Sequence, residues 1–205
     1  MKVLLINGSP NAKGCTYTAL SEVEKELNNQ GVETEIIHVG HKDIRGCIGC
    51  RSCKKTGKCV FDDIVNEVAL KFEECDGIVI GSPVYYAGAN GTLVSFMDRM
   101  FYSTKADKRM KVGAAVVSCR RAGNTATFDI LNKYFTISQM PIVSSQYWNM
   151  VHGNNAEEVK QDVEGLQTMR TLGKNMAFLM KCIALGKEEY GLPEREDITF
   201  TNFIR

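Results

Sequence analysis

The sequence is poor in the features that mark specialised chains. Among its 205 residues are only 4 Pro and 1 Trp, and 25 Lys+Arg stand against 24 Asp+Glu for a formal net charge of +1. So little proline excludes a collagen-like chain, and 44% hydrophobic beside 24% charged residues excludes intrinsic disorder. No cationic run exceeds Lys54-Lys55 or Arg120-Arg121, so a phosphate backbone has no electrostatic footprint and nucleic acid is not expected as a partner. The longest apolar runs, such as residues 78–80 and 176–180, fall far short of the ~20 that a bilayer requires, so no membrane partner is expected. The apolar stretch at residues 1–6 stops at Asn7 with no small-residue cleavage site after it, and the expected location is cytoplasmic.

What the chain does have is length enough to bury a core without cross-links, and 8 Cys. In a reducing compartment cysteine spacing speaks of metals and redox chemistry rather than disulfides. Runs rich in β-branched residues at 3–6, 32–39, 77–80, 112–117 and 142–147 predict five strands. Amphipathic segments at 16–29, 62–74, 90–102 and 124–138, and a long one at 156–185, predict the helices between and after them. The runs at 78 and 112 are apolar on both faces, as strands of a parallel sheet covered by helices on each side must be. The expectation is a single doubly wound α/β domain over 1–205, with a cysteine-rich loop at 46–60 and a tail at 187–205. Residues 156–185 carry more apolar surface than a core helix needs, which leaves a core role and a homodimer interface both open.

Such a sheet binds ligands at the carboxyl ends of its strands. The first loop there offers Ser9, Asn11, Thr16, the cation of Lys13 and backbone amides around Gly14 and Cys15, a set suited to a phosphate. It lacks the glycine spacing of a dinucleotide fingerprint and the Gly-Lys-Ser/Thr order of a P-loop; the competing reading is a plain turn with Thr16 as helix cap. The third loop fixes its backbone at Pro83 and then presents Val84, Tyr85 and Tyr86, followed by the small Ala87 and Gly88, which would let a flat ring approach the backbone. The fourth, with Ser118, Cys119, Arg120, Arg121, Ala122 and Gly123, could close over such a ring, an arginine stabilising negative charge on it or holding a phosphate of a second ligand. Trp148, Asn149 and His152 are further candidates by position.

Asn7-Gly8-Ser9-Pro10 through Thr16, with Ser82-Pro83-Val84-Tyr85-Tyr86 leading to Phe96-Met97-Asp98-Arg99, resembles the NADPH-dependent FMN reductases of flavodoxin-like fold. The resemblance implies that the first loop holds the FMN phosphate and the Ser-Pro-x-Tyr loop the isoalloxazine. It also implies NAD(P)H as electron donor. The chain departs from the family at Asn11-Ala12, where basic residues are common, and at Cys15, where Asn is common.

Cys47, Cys50, Cys53 and Cys59 read C-x2-C-x2-C-x5-C within thirteen residues. Four thiolates in one compact run can wrap a [4Fe-4S] cluster, and Arg51, Lys54, Lys55 and Lys58 would offset its charge. Zinc takes four thiolates too, but favours two separated pairs, so the spacing favours iron-sulfur with zinc or an empty site as the alternatives. The pattern also resembles the iron-sulfur flavoproteins of the same broad family, which implies an electron path between cluster and FMN. Cys75 and Cys182 read as buried apolar residues.

The leading expectation is an FMN-dependent oxidoreductase passing electrons from a reduced donor to a small-molecule or redox-protein acceptor, as a homodimer or larger homo-oligomer. Hydride transfer to a flavin needs stacking and exclusion of water, so no side chain is nominated as a catalytic acid or base. The alternatives are an electron carrier between ferredoxin-type partners and a zinc-stabilised interaction module.

Overall fold

The computed structural model describes residues 1–201 and 203. Its central sheet is built from β1 (Lys2–Asn7), β2 (Glu33–His38), β3 (Gly77–Tyr85), β5 (Val112–Cys119) and β6 (Met150–His152), in the parallel order β2-β1-β3-β5-β6. A two-residue β4 (Gly88–Ala89) turns back antiparallel on the end of β3. The helices are α1 (Cys15–Asn29), α2 (Ser52–Thr56), α3 (Ile64–Glu73), α4 (Gly91–Ser103), α5 (Asn124–Ile137), α6 (Ala156–Gln161) and α7 (Val163–Tyr190).

Alternation along the strands sets the two layers, because successive side chains point to opposite faces. Leu4, Ile6, Ile78 and Ile80 pack under α3, α4 and α5 with Phe72, Phe96 and Phe135, while Val3, Leu5, Val79 and Val116 pack under α1 and α7 with Leu20, Met169, Leu172 and Met176. Each such aliphatic side chain, fully buried, contributes about 1.5–3 kcal/mol. Both faces of the sheet are thus dry, and its carboxyl edge is the exposed end that can carry loops.

Two expected elements differ. Residues 142–147 form no strand; Ile142 makes a single bridge to Gly113, and pairing resumes only at β6, where Val117 faces Met150. Between them the chain loops out, its turn held by Ser145, whose hydroxyl bonds the Asn149 side-chain oxygen at 2.7 Å, and by Asn175, which donates to the Ser144 carbonyl at 2.8 Å. The long helix expected over 156–185 is broken at Asp162, whose carboxylate accepts the Gly165 amide at 2.9 Å and the His152 amide at 2.7 Å. That carboxylate caps α7 and ties it to the end of β6. The helix then runs on to Tyr190, past the expected start of the tail at 187. Beyond it, the Pro193 carbonyl accepts from Arg109 at 3.1 Å; positions 202, 204 and 205 of the tail lie outside the described residues. Cys75 is buried as expected, its thiol pushed up to about 11 by desolvation, but Cys182 lies exposed on the outer face of α7.

Candidate flavin edge and cysteine site

The first loop leaves β1 and is folded by its own polar groups. The Asn7 side chain accepts the Ser9 amide at 3.0 Å and donates to the Ala12 carbonyl at 3.2 Å, and the Ser9 hydroxyl accepts the Asn11 amide at 3.2 Å. Behind it Gly40 packs so closely that a Cβ there would collide with the carbonyl group of Ser9. Asn11, Lys13, Gly14 and Cys15 line a cleft of about 520 Å³ against Asn154, Asn155 and Glu157. Thr16 is not the helix cap: it lies inside α1, fully buried, sharing a 2.8 Å hydrogen bond with the Ser118 hydroxyl, and so joins the first loop to the fourth from beneath.

α3, α4, α6 and α7 begin at Asp63, Asn90, Asn155 and Asp162, each accepting a first-turn amide with its own side chain. α1 begins at Gly14 and α5 at Gly123 with no side-chain cap, as does the short α2 at Arg51 in the cysteine loop, and α1 has no acidic residue in its first turn. Amides left without a cap are those a ligand can use. Of these helices, α1 and α5 start at the loops expected to hold the cofactor, so this end of the fold fits a phosphate-bearing group.

The third loop is a hairpin: Val84 pairs with Ala89 and Tyr85 with Gly88, and the turn residues Tyr86 and Ala87 are both left-handed, at φ 51° and 58°. Side chains rarely adopt this conformation, which costs roughly 1–2 kcal/mol per residue. The strained turn holds Tyr86 fully exposed and Tyr85 half-exposed, an aromatic edge standing off the protein. Gly123 of the fourth loop meets this turn, its Cβ position 2.9 Å from Val84 and 3.0 Å from Ala87. Pro83 lies in β3, while Arg120 and Arg121 are exposed and Ala122 sits beside them at the loop surface. Cys119 is buried, and desolvation raises its thiol, as it does that of Cys15. Of the further candidates, Trp148 is exposed and His152 lies within 3.3 Å of the Asn124 amide group, whereas Asn149 is buried.

The four motif cysteines line a single pocket with Ile48, Val60, Phe61, Arg99 and Tyr102. Among the described residues no three His, Cys, Asp or Glu side chains converge as they would on one metal ion. Cys47 and Cys50 are exposed, and the amide and hydroxyl of Ser52 hold the Cys50 thiol below its usual range. Cys59 is fixed most firmly. The Asn66 side chain accepts its amide at 2.9 Å and donates to the carbonyls of Cys59 at 3.1 Å and Phe61 at 3.0 Å. Arg99, from α4, donates to the Cys59 sulfur at 3.2 Å and to both carboxylate oxygens of Asp63 at 2.7 and 2.9 Å. Burial opposes the Arg99 charge, but these bonds outweigh it and raise its pKa.

Sequence reasoning missed Arg99, Asp63 and Asn66 as parts of this site. Between positions 42 and 58 the loop carries six cations and one anion, so the rest of the chain has four more acidic than basic groups. Arg99 lies nine residues along α4 from its cap Asn90, about 14 Å at the helical rise.

The parallel sheet and its uncapped carboxyl edge define a flavodoxin-like flavoprotein. Residues 1–155 match the NADPH-dependent FMN reductase family, and the chain belongs to it; it is an FMN-dependent oxidoreductase. The chain is 37% identical over 191 residues to an iron-sulfur flavoprotein of Methanocaldococcus jannaschii, covering 89% of this chain and 99% of that one. Among solved structures it is similar to RosB with bound 8-demethyl-8-formylriboflavin-5'-phosphate (TM-score 0.70, 13% identity, 100% of this chain and 92% of that one). It is also similar to a flavodoxin from the domain Archaea (TM-score 0.62, 16% identity, 88% and 99%). No helix among the described residues is long and apolar enough to cross a membrane.

Proposed function

We propose that this chain is an iron-sulfur flavoprotein in which Cys47, Cys50, Cys53 and Cys59 hold a [4Fe-4S] cluster and electrons pass between that cluster and FMN. The observation that carries the reading is the single pocket lined by all four cysteines, on a chain of the FMN reductase family. The C-x2-C-x2-C-x5-C spacing, three cysteines each three apart where zinc favours two separated pairs, supports iron-sulfur over zinc. The name borne by the Methanocaldococcus relative points the same way.

FMN, when bound, would couple two-electron donors to the one-electron chemistry of a cluster. Ser9, Asn11, Lys13, Gly14, Cys15 and the α1 amides would hold its phosphate, with Thr16 and Ser118 locking the two loops together. Pro83, Val84, Tyr85, Tyr86, Ala87 and Gly88 would flank the ring, and Cys119, Arg120, Ala122 and Gly123 would cover it from the fourth loop. Exclusion of water and orientation are the protein's tasks here, and no acid or base is assigned. NAD(P)H is the proposed donor. The cation-rimmed cysteine loop, with Ile48, Val60 and Tyr102 exposed at its centre, favours an acidic redox protein as the other partner. The exposed Val163, Phe178 and Leu185 of α7 support a homodimer, and a cluster of this kind suits a cytoplasmic, reducing setting.

Absorption spectra with iron, sulfide and zinc analysis of protein purified without oxygen test the reading. Flavin with about four irons per chain is expected. Zinc without iron would overturn the cluster assignment, and negligible NAD(P)H oxidation beside rapid reduction by a ferredoxin would make the protein a carrier.

A further inference from the structure

We infer that Arg99 is a positioning residue for the cysteine site, and that with Asp63 it sets the reduction potential there by donating a buried, charge-assisted N–H···S bond to Cys59. The inference rests on the iron-sulfur reading above.

The guanidinium is completely buried, and each of its N–H groups has an acceptor. Nε bonds the Cys59 sulfur at 3.2 Å; Nη1 bonds Asp63 at 2.7 Å and the Arg45 carbonyl at 3.3 Å; Nη2 bonds Asp63 at 2.9 Å and the Phe61 carbonyl at 3.3 Å. Five donors on five contacts leave no freedom to rotate. The Phe61 ring also contacts two guanidinium groups, Arg99 at 5.1 Å and Arg45 at 4.7 Å from its centroid. One side chain therefore joins α4, the start of the cysteine loop at Arg45, its end at Cys59 and Phe61, and the cap of α3 at Asp63. No core-packing demand explains a cation here: the same volume could be filled by Met or Leu, and a buried ion pair is a poor route to stability alone.

Adding one electron to a thiolate-held cluster, with no bond made or broken at Cys59, increases the negative charge shared by its sulfurs. A hydrogen bond and a positive charge at one sulfur stabilise that reduced state and make it easier to reach. Asp63 has the opposite sign. It aims the guanidinium through the two-point contact, yet its own charge offsets part of the field at Cys59. The two residues should thus shift the couple in opposite directions.

The test uses full-length protein, purified without oxygen, with Arg99→Lys and Asp63→Asn. Lysine keeps the charge but cannot span Cys59 and Asp63 together; asparagine keeps the side-chain oxygen that caps α3. Flavin content reports that each variant is folded, and a redox titration followed by electron paramagnetic resonance reads the cluster. In Arg99→Lys the ratio of oxidised to reduced cluster at a fixed solution potential should rise about tenfold, a midpoint lower by about 59 mV for a one-electron couple. In Asp63→Asn it should fall. Should Arg99→Lys keep flavin but lose iron, the positioning role stands and Asp63→Asn alone decides the potential. Iron-loaded variants whose midpoints do not move, or move in the same direction, overturn the inference and leave the cluster reading intact. Wild-type protein without iron and sulfide overturns both.

Discussion

The flavin edge and the cysteine loop are made in opposite ways. The first is set by the fold: its loops leave strands buried on both faces, and backbone, glycine contacts and internal hydrogen bonds such as Thr16 to Ser118 shape it. The second is mostly exposed; α2 has no buried residue, and side chains reaching in from α3 and α4 give the loop its form. A site shaped by the sheet exists before its ligand arrives. One shaped by a few side chains depends on those side chains and on whatever its thiols bind.

The largest effect should separate the two by crowding. Gly40→Ala drives a methyl into the carbonyl group of Ser9 and should cost about 3 kcal/mol with loss of FMN, read from denaturant midpoints and flavin content. Gly49→Ala, with nothing within 4 Å but a φ of +67°, should cost only about 1 kcal/mol. Comparable losses at both positions would break the distinction. Next, Asn66→Ala removes three hydrogen bonds from the Cys59 turn and should cost about 2 kcal/mol, releasing iron while flavin is retained. Equal loss of both cofactors would mean that the sites are not independent.

Thiol chemistry sharpens the contrast further. In metal-free, flavin-free protein at pH 8, Cys50 and Cys47 should alkylate at least about tenfold faster than Cys119, because the thiolate reacts and Ser52 lowers the Cys50 thiol while burial raises that of Cys119. Raising the pH from 7 to 9 should speed Cys119 most, since Cys50 approaches full ionisation first. Mass spectrometry of the labelled peptides checks both. The smallest effect is a gain: Ala87→Gly relieves a left-handed residue and should stabilise the protein by about 1 kcal/mol, measured by thermal unfolding.

These differences also explain what could be read from the chain itself. Four of the five main strands and the positions of the loops after them follow from local pattern, because β-branched runs and strand-end turns are encoded where they occur. The fifth strand does not: in the 142–147 run only Ile142 and Val143 are β-branched, the polar Ser144 to Gln146 loop out with Ser145 bonded to Asn149 and Asn175 bonded to Ser144, and three residues at 150–152 do the pairing. The break at Asp162 depends on a carboxylate that also reaches back to His152, and the exposure of Cys182 on how α7 is rolled against α1. The cysteine spacing is plain in the chain. Its supports are not, because Arg99 is 40 residues from Cys59 and 36 from Asp63, and nothing in the local pattern of its helix ties it to the cysteines.

The concentration of six cations between positions 42 and 58 has a consequence on a longer scale than any contact. A chain with a sequence pI near 7.5 has almost no net charge, yet in this one the segment 42–58 is strongly positive while the remainder is negative. Beyond about 8 Å physiological salt screens that field, but inside this range an approaching anionic molecule exerts a torque before it touches. A local excess of cations of this kind favours encounters in which an anionic molecule meets the cysteine loop first, and dilute buffer widens the range over which it acts.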